Sequence, residues 1–144
     1  MKKLVLLILI VVTTQFSFAN DDIGSSIMGS FNKDFCKATD VQWQHAEGYD
    51  MASFVLDNRS MSAYYTPDGE LLAVVRNIVS LELPLKLLLD LKKNYGDMWI
   101  SGLFEMVSGS DDEYCITLEN ADEQLILKAK ASKSWKVYKK IVKI

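Results

Sequence analysis

One histidine, His45, two cysteines, Cys36 and Cys115, and an acidic run, Asp111-Asp112-Glu113, are the residues of this 144-residue chain whose types could do chemistry. A histidine can act as general base to an activated hydroxyl, for which Ser53 or Ser62 would be the nucleophile. Nothing around either serine resembles a nucleophile elbow, however. His45 sits among alternating strand residues just before a Glu47-Gly48 turn, so a hydrogen-bonded or solvent-facing strand histidine is expected and no triad. The acidic run lies beside Gly109 and Ser110. Calcium takes several loop oxygens, but this spacing matches no calcium loop, and a solvated hairpin tip is expected. One histidine and two distant cysteines cannot close a tetrahedral metal site without carboxylates, and no glycine-rich phosphate loop is present. The expectation is no enzyme, no metal and no cofactor.

The other chemical asymmetry is basic. Between Lys128 and Ile144 stand seven lysines, 128, 130, 133, 136, 139, 140 and 143, and no acid. If these segments are strands, Lys128 and Lys130 share a face, as do Lys136 and Lys140 with Tyr138 between them. The corresponding outward positions of the first half are Met51, Val55, Tyr64, Leu72 and Val74, a more apolar set. Such a face could receive an acidic protein partner, steered by charge and anchored by aromatics. The alternative is that the lysines keep a solvated sheet and its edge soluble. The candidate partner-binding residues are Met51, Val55, Tyr64, Leu72, Lys128, Lys130, Lys136 and Tyr138.

The elements that would position these residues come twice. Ile27, Phe31 and Phe35 are spaced four apart, predicting a helix over 23–38 despite Gly24 and Gly29. Strands are predicted at 41–45, 49–56, 60–66 and 70–78, with a Thr66-Pro67-Asp68-Gly69 turn between the last two. Pro84 then opens a helix over 85–95, closed by Gly96. Strands follow at 98–107, 113–119, 124–131 and 135–141. An offset of 56 takes Phe31 to Leu87, Phe35 to Leu91 and Trp43 to Trp99. Beyond the first hairpin an offset of 64 takes Ala52 to Ile116, Phe54 to Leu118, Ala63 to Leu127 and Leu71 to Trp135. Tyr114, Ile116 and Leu118 alternate with Cys115, Thr117 and Glu119, the pattern of a sheet buried on one face. The predicted fold is α+β: a tandem α-β-β-β-β repeat, about 22–79 and 80–144, forming an antiparallel sheet with both helices on one face and the other face open. Cys36 would fall in the first helix and Cys115 on the less apolar face of a strand, leaving both a disulfide and two free thiols open.

Residues 1–19 read as a cleavable secretion signal. Lys2 and Lys3 precede an apolar run from Leu4 to Val12, and Ser17 and Ala19 supply small residues at the cleavage site. A membrane span would need about 20 apolar residues, and Thr13, Thr14 and Gln15 interrupt too early. Removal of the signal deletes two lysines and moves the formal net charge from −3 to about −5, which offers no general attraction to nucleic acid. Residues 20–144 are expected to be one domain, periplasmic or secreted, with no membrane span.

The Val41-Gln42-Trp43 strand, the Ala63-Tyr64-Tyr65-Thr66-Pro67-Asp68-Gly69-Glu70-Leu71-Leu72 hairpin, the Leu83-Pro84 helix start and the Lys93-Asn94-Tyr95-Gly96 helix exit carry a resemblance. Together they resemble the PepSY-like proteins related to the β-lactamase-inhibitor-protein fold, small exported bacterial proteins built from tandem α-β4 units. The resemblance covers about residues 22–143 and implies a noncatalytic binding or inhibitory role through the open sheet face. No inhibitory contact residue is matched. The function expected is an exported binding module, an inhibitor or chaperone-like partner of an envelope enzyme. The alternative is a structural envelope component whose basic face contacts anionic lipid or polysaccharide.

Overall fold

The computed structural model describes residues 23–109 and 111–144; the expected secretion signal lies outside them. Helix α1 spans Ser25–Asp34 and is followed by strands β1 Thr39–Ala46, β2 Tyr49–Leu56, β3 Arg59–Tyr65 and β4 Leu71–Asn77. A 3-10 turn at Ser80–Glu82 leads into α2, Leu85–Asn94, and then β5 Trp99–Ser108, β6 Asp111–Glu119, β7 Glu123–Lys130 and β8 Lys136–Val142. The eight strands form one antiparallel sheet in sequence order, β1 to β8. Only local hairpins are needed except at the centre, where α2 intervenes between β4 and β5 and their register runs from Val74–Val107 to Asn77–Phe104.

Both helices lie on the same face of the sheet, because period-2 alternation leaves each half one apolar face to cover. Under α1, Ile27 and Phe31 pack with Ala52, Phe54, Ala63 and Tyr65. The small Ala52 and Ala63 leave room for aromatic rings, and Phe31 meets Phe54 and Trp43 edge-on at centroid distances of 5.1 and 5.2 Å. Under α2 the sizes are reversed. Leu87 and Leu91 pack on Ile116, Leu118, Leu127 and Trp135, so larger strand residues meet aliphatic helix residues and the volume is filled either way.

A polar seam separates these two cores. On the helix side of β4 and β5, Arg76 pairs with Glu105, whose other carboxylate oxygen accepts the Tyr114 hydroxyl at 2.9 Å. Arg59 bonds Glu82 at 2.6 Å beside it. Glu105 is buried, and partners on both oxygens are what make a buried carboxylate tolerable.

Three local outcomes differ from the sequence expectation. Helix α1 ends at Asp34, so Cys36 stands in the following turn, exposed, not in the helix. The buried helix positions are Ile27 and Phe31 in α1 and Leu87 and Leu91 in α2, so their numbers differ by 60 and Phe35 is a helix cap, not the counterpart of Leu91. The difference becomes 64 from β2 onward (Ala52 and Ile116, Ala63 and Leu127) because β5 and β6 form a longer hairpin than β1 and β2. Finally, Trp135 precedes β8. Its indole Nε1–H donates to the Leu87 carbonyl at 3.0 Å and its backbone N–H to Asp90 at 3.0 Å, which ties the β7–β8 loop to α2.

Candidate binding face

Strand pairing decides which side chains share the face opposite the helices. The rows Met51–Tyr64–Ala73 and Ser53–Ser62–Val75–Met106 cross β2 to β5 on that face. Tyr64, Ala73 and Val75 form a third apolar cluster there, with Tyr49, Met51, Leu72, Phe104 and Met106 packed against it. Among the described residues no helix covers it. Tyr64 is 9% exposed and packs against the tilted Tyr49 ring with centroids 5.7 Å apart, so it is the floor of the patch, while Met51, Leu72, Phe104 and Met106 are half-buried around it. Burial, and then the neighbouring Tyr49, push the Tyr64 phenol up from its ordinary value.

The face changes character across β6. Phe104 is paired with Cys115, Cys115 with Lys128, and Lys128 with Lys136. Burial raises the Cys115 thiol, Lys128 opposes that shift and Glu113 adds to it. Beyond it, Lys128, Lys130, Lys133, Lys136, Ser134 and Tyr138, with Glu113 as the acid, line a groove of about 480 Å³. The Lys128 ammonium sits 3.9 Å from the Tyr138 ring centroid, a cation–π contact that fixes both side chains. Lys130 bonds Asp111 at 3.0 Å, which raises its pKa.

The eight candidate residues thus fall on one face, but in two groups and an outlier. Met51, Tyr64 and Leu72 meet in the apolar cluster, and Lys128, Lys130, Lys136 and Tyr138 meet at the groove. Val55 pairs with Ser60 at the far end of β2 and β3, outside both. Two neighbours assigned to this face lie on the other. Val74 pairs with Ala63 and belongs to the helix side, and Lys140 pairs with Leu125 and bonds Glu123. A bulge in each hairpin, at Tyr64/Tyr65 and at Ile126/Leu127, shifts the alternation by one residue. Tyr49, Ala73, Val75, Phe104 and Met106 were missed. Run-on apolar sequence in β4, Leu71 to Val75, gives no period from which to choose a face.

The residues considered for catalysis are kept apart by the same alternation. His45 Nδ1 lies 2.7 Å from Asp50 Oδ1, a His–Asp pair with the buried carboxylate orienting the ring. Asp50 pairs with Tyr65 on the helix side, whereas Ser53 and Ser62 oppose each other on the open face. Neither serine can reach the imidazole through the sheet. The two cysteines are free. Among the described residues no group of three or more His, Cys, Asp or Glu side chains is placed to hold a metal ion, and no helix is long and apolar enough to cross a membrane.

No family model and no curated protein matches the chain. Solved structures do match its fold. A Bacteroides eggerthii protein thought to be periplasmic superposes with a TM-score of 0.74 at 14% identity, covering 83% of this chain and 88% of that one. A DUF2874 family protein of Bacteroides ovatus gives 0.72 at 15%, with coverage of 85% and 89%. A BLIP-like protein of Bacteroides fragilis gives 0.68 at 15%, with coverage of 83% and 85%. The chain therefore has the α+β fold of the BLIP-like and DUF2874 structures.

Proposed function

We propose that the chain is an exported, noncatalytic protein-binding module that uses the sheet face opposite its helices. The observation that carries this reading is the apolar cluster around Tyr64, Ala73 and Val75, continuous with the lysine-lined groove at Tyr138. A soluble domain seldom keeps aromatic and methionine side chains on an uncovered sheet face without a use for them. Methionine and phenylalanine at the rim supply contact area, and the lysines steer an acidic partner. Export is supported by the charged, apolar and small-residue order of residues 1–19 and by likeness to a protein thought to be periplasmic. An inhibitory or chaperone-like role toward an envelope enzyme is the sharper form, supported by likeness to a BLIP-like protein.

We also read the chain as a tandem α-β4 repeat. Ser26 Oγ donates to the Asp68 carbonyl at 2.7 Å, and Lys86 Nζ donates to the Ser132 carbonyl at 2.8 Å. The first turn of each helix thus clasps the loop after the third strand of its own half.

The test is recovery of partners from envelope extract by the wild-type protein and by a Met51→Ala/Met106→Ala/Tyr138→Ala variant. The variant should lose proteins that the wild type retains; identical recovery sinks the reading. The lysine groove also favours a second reading, contact with anionic lipid or polysaccharide. Co-sedimentation with either that weakens steeply as salt rises, and that survives the three substitutions, would replace the first reading with the second.

A further inference from the structure

Strand β8 ends the sheet order, so among the described residues its outer side bonds no other strand. All 7 of its residues, Lys136–Val142, are exposed. The Lys143 N–H donates to the Asp122 carbonyl at 2.8 Å, in line with β7. Antiparallel alternation then turns the N–H and C=O of Val142 and Lys140 away from β7 and toward solvent. The side chains divide by face. Lys136, Lys139 and Ile141 pair with Lys128, Ile126 and Gln124 on the open face. Val137 and Val142 pair with Leu127 and Glu123 on the helix side, and are 56% and 65% exposed. The edge thus has a basic side, an apolar β-branched side, and an unbonded backbone row between them.

We propose that this edge takes up an extended acidic segment of a partner protein as a ninth strand, with its acids toward Lys136 and Lys139 and its apolar residues toward Val137 and Val142. In this mode of recognition main-chain hydrogen bonds supply the affinity, and alternate side chains choose the partner. Charge selects the occupant. Lys140 is neutralised by Glu123 and Lys143 by Glu119, but among the described residues no acid pairs with Lys136 or Lys139, so their charge is available. A second copy fits less well. Strand β8 against β8 sets lysine against lysine, and like charges across a strand pair are unfavourable. Strand β1, the other edge, offers Gln42 and Gln44 at its open-face positions. Lysines alone guard an edge against pairing; exposed valines beside an unbonded backbone row favour adding a strand. The edge adjoins the groove at Tyr138 but lies apart from the Tyr64 cluster, so it stands or falls separately from the open-face reading.

The probe is a capped synthetic peptide of about eight residues, within the usual length of a strand, alternating glutamate with valine or threonine. It is titrated into isotope-labelled protein and followed by amide NMR. Binding should shift the β8 amides, slow hydrogen exchange at Lys140 and Val142, and weaken as salt rises from about 50 to 500 mM. The same peptide with lysine for glutamate should not bind. Val142→Pro removes an outward N–H that β7 does not use, where an edge strand tolerates proline. It should weaken binding about threefold to tenfold with an unchanged thermal midpoint. Lys136→Glu/Lys139→Glu, at exposed positions, should reverse the preference, binding the lysine peptide and not the glutamate one. No binding by the wild type at about 1 mM peptide overturns the proposal, as does equal affinity of the wild type and both variants. Shifts confined to Tyr64 and Met106 overturn it too, by assigning the acid to the open face. Self-association through β8 without peptide overturns it by making a second copy the occupant.

Discussion

Glu105 on β5 holds Arg76 on β4 with one carboxylate oxygen and the Tyr114 hydroxyl on β6 with the other. The trio bridges three central strands at the point where α2 interrupts the meander. The hydrogen bond that Arg76 donates to Glu105 raises the Arg76 pKa, and burial, then that same carboxylate, push Tyr114 up to about 12. Replacing Glu105 by Ala leaves a guanidinium and a buried hydroxyl without their acceptor. The expected cost is about 2–3 kcal/mol by urea unfolding, somewhat below that of a fully buried pair because Arg76 is partly solvated. A double-mutant cycle with Arg76→Ala should return a coupling of roughly 0.5–3 kcal/mol. Strict additivity would show that the seam does not tie the halves.

Gly69 stands in the β3–β4 turn with φ +89°, and a Cβ there would lie 2.6 Å from Ser26 Oγ and 3.0 Å from the Ser26 backbone. Backbone strain and collision with α1 act together. Gly69→Ala is therefore expected to lose about 2–3 kcal/mol, while Gly48→Ala, also at positive φ but with open space around it, should lose only the backbone share, about 1 kcal/mol. Equal losses at both turns would show that contact with Ser26 contributes nothing.

The elements were legible where sequence period and turn chemistry agree. Tyr114, Ile116 and Leu118 are buried as their alternation requires, the Pro67-Asp68-Gly69 turn lies where its residues put it, and α2 starts after Pro84. The split of the candidate face was legible only in part, since Lys128, Lys130, Lys133 and Lys136 of the lysine-rich run line the groove while Lys140 of the same run lies on the helix side. Its apolar half was harder to read. Five consecutive apolar residues in β4 carry no alternation, and the bulge opposite Tyr64 and Tyr65 is a property of pairing between strands. The helix offset failed for a related reason: Phe31 and Phe35 look equivalent at four-residue spacing, but only the end of the helix at Asp34 separates core position from cap.

Cys36 is exposed in the turn after α1, on the helix side, while Cys115 is half-buried on the opposite face between Phe104 and Lys128. The sheet stands between them, so no disulfide can form without unfolding. In an Ellman titration of native protein at neutral pH, one thiol should react quickly and the second slowly. Burial raises the Cys115 pKa, so the slow phase should accelerate as pH rises and the thiolate fraction grows. Cys36→Ser should remove the fast phase alone. A single phase, or no free thiol without reductant, would contradict this placement.

Glu119 gives the fold an acid-sensitive contact at the end of β6. Its carboxylate accepts from the Lys143 ammonium and the Gln124 amide, and these, with the nearby Ser101 hydroxyl, lower its pKa to about 2. The folded state thus favours the charged form relative to an unfolded chain, where a glutamate titrates at about 4.3. The stabilisation is fully present above that value and is lost as pH falls toward about 2, because protonation then breaks the bond from Lys143, which also holds the Asn120 carbonyl. Thermal midpoints measured across this window should fall faster with acid in the wild type than in Glu119→Gln, which keeps the shape without the charge. Added salt should narrow the difference, since the pair is open to solvent. Parallel curves for the two proteins would mean that acid acts elsewhere and that Glu119 is a bystander at the β6–β7 turn.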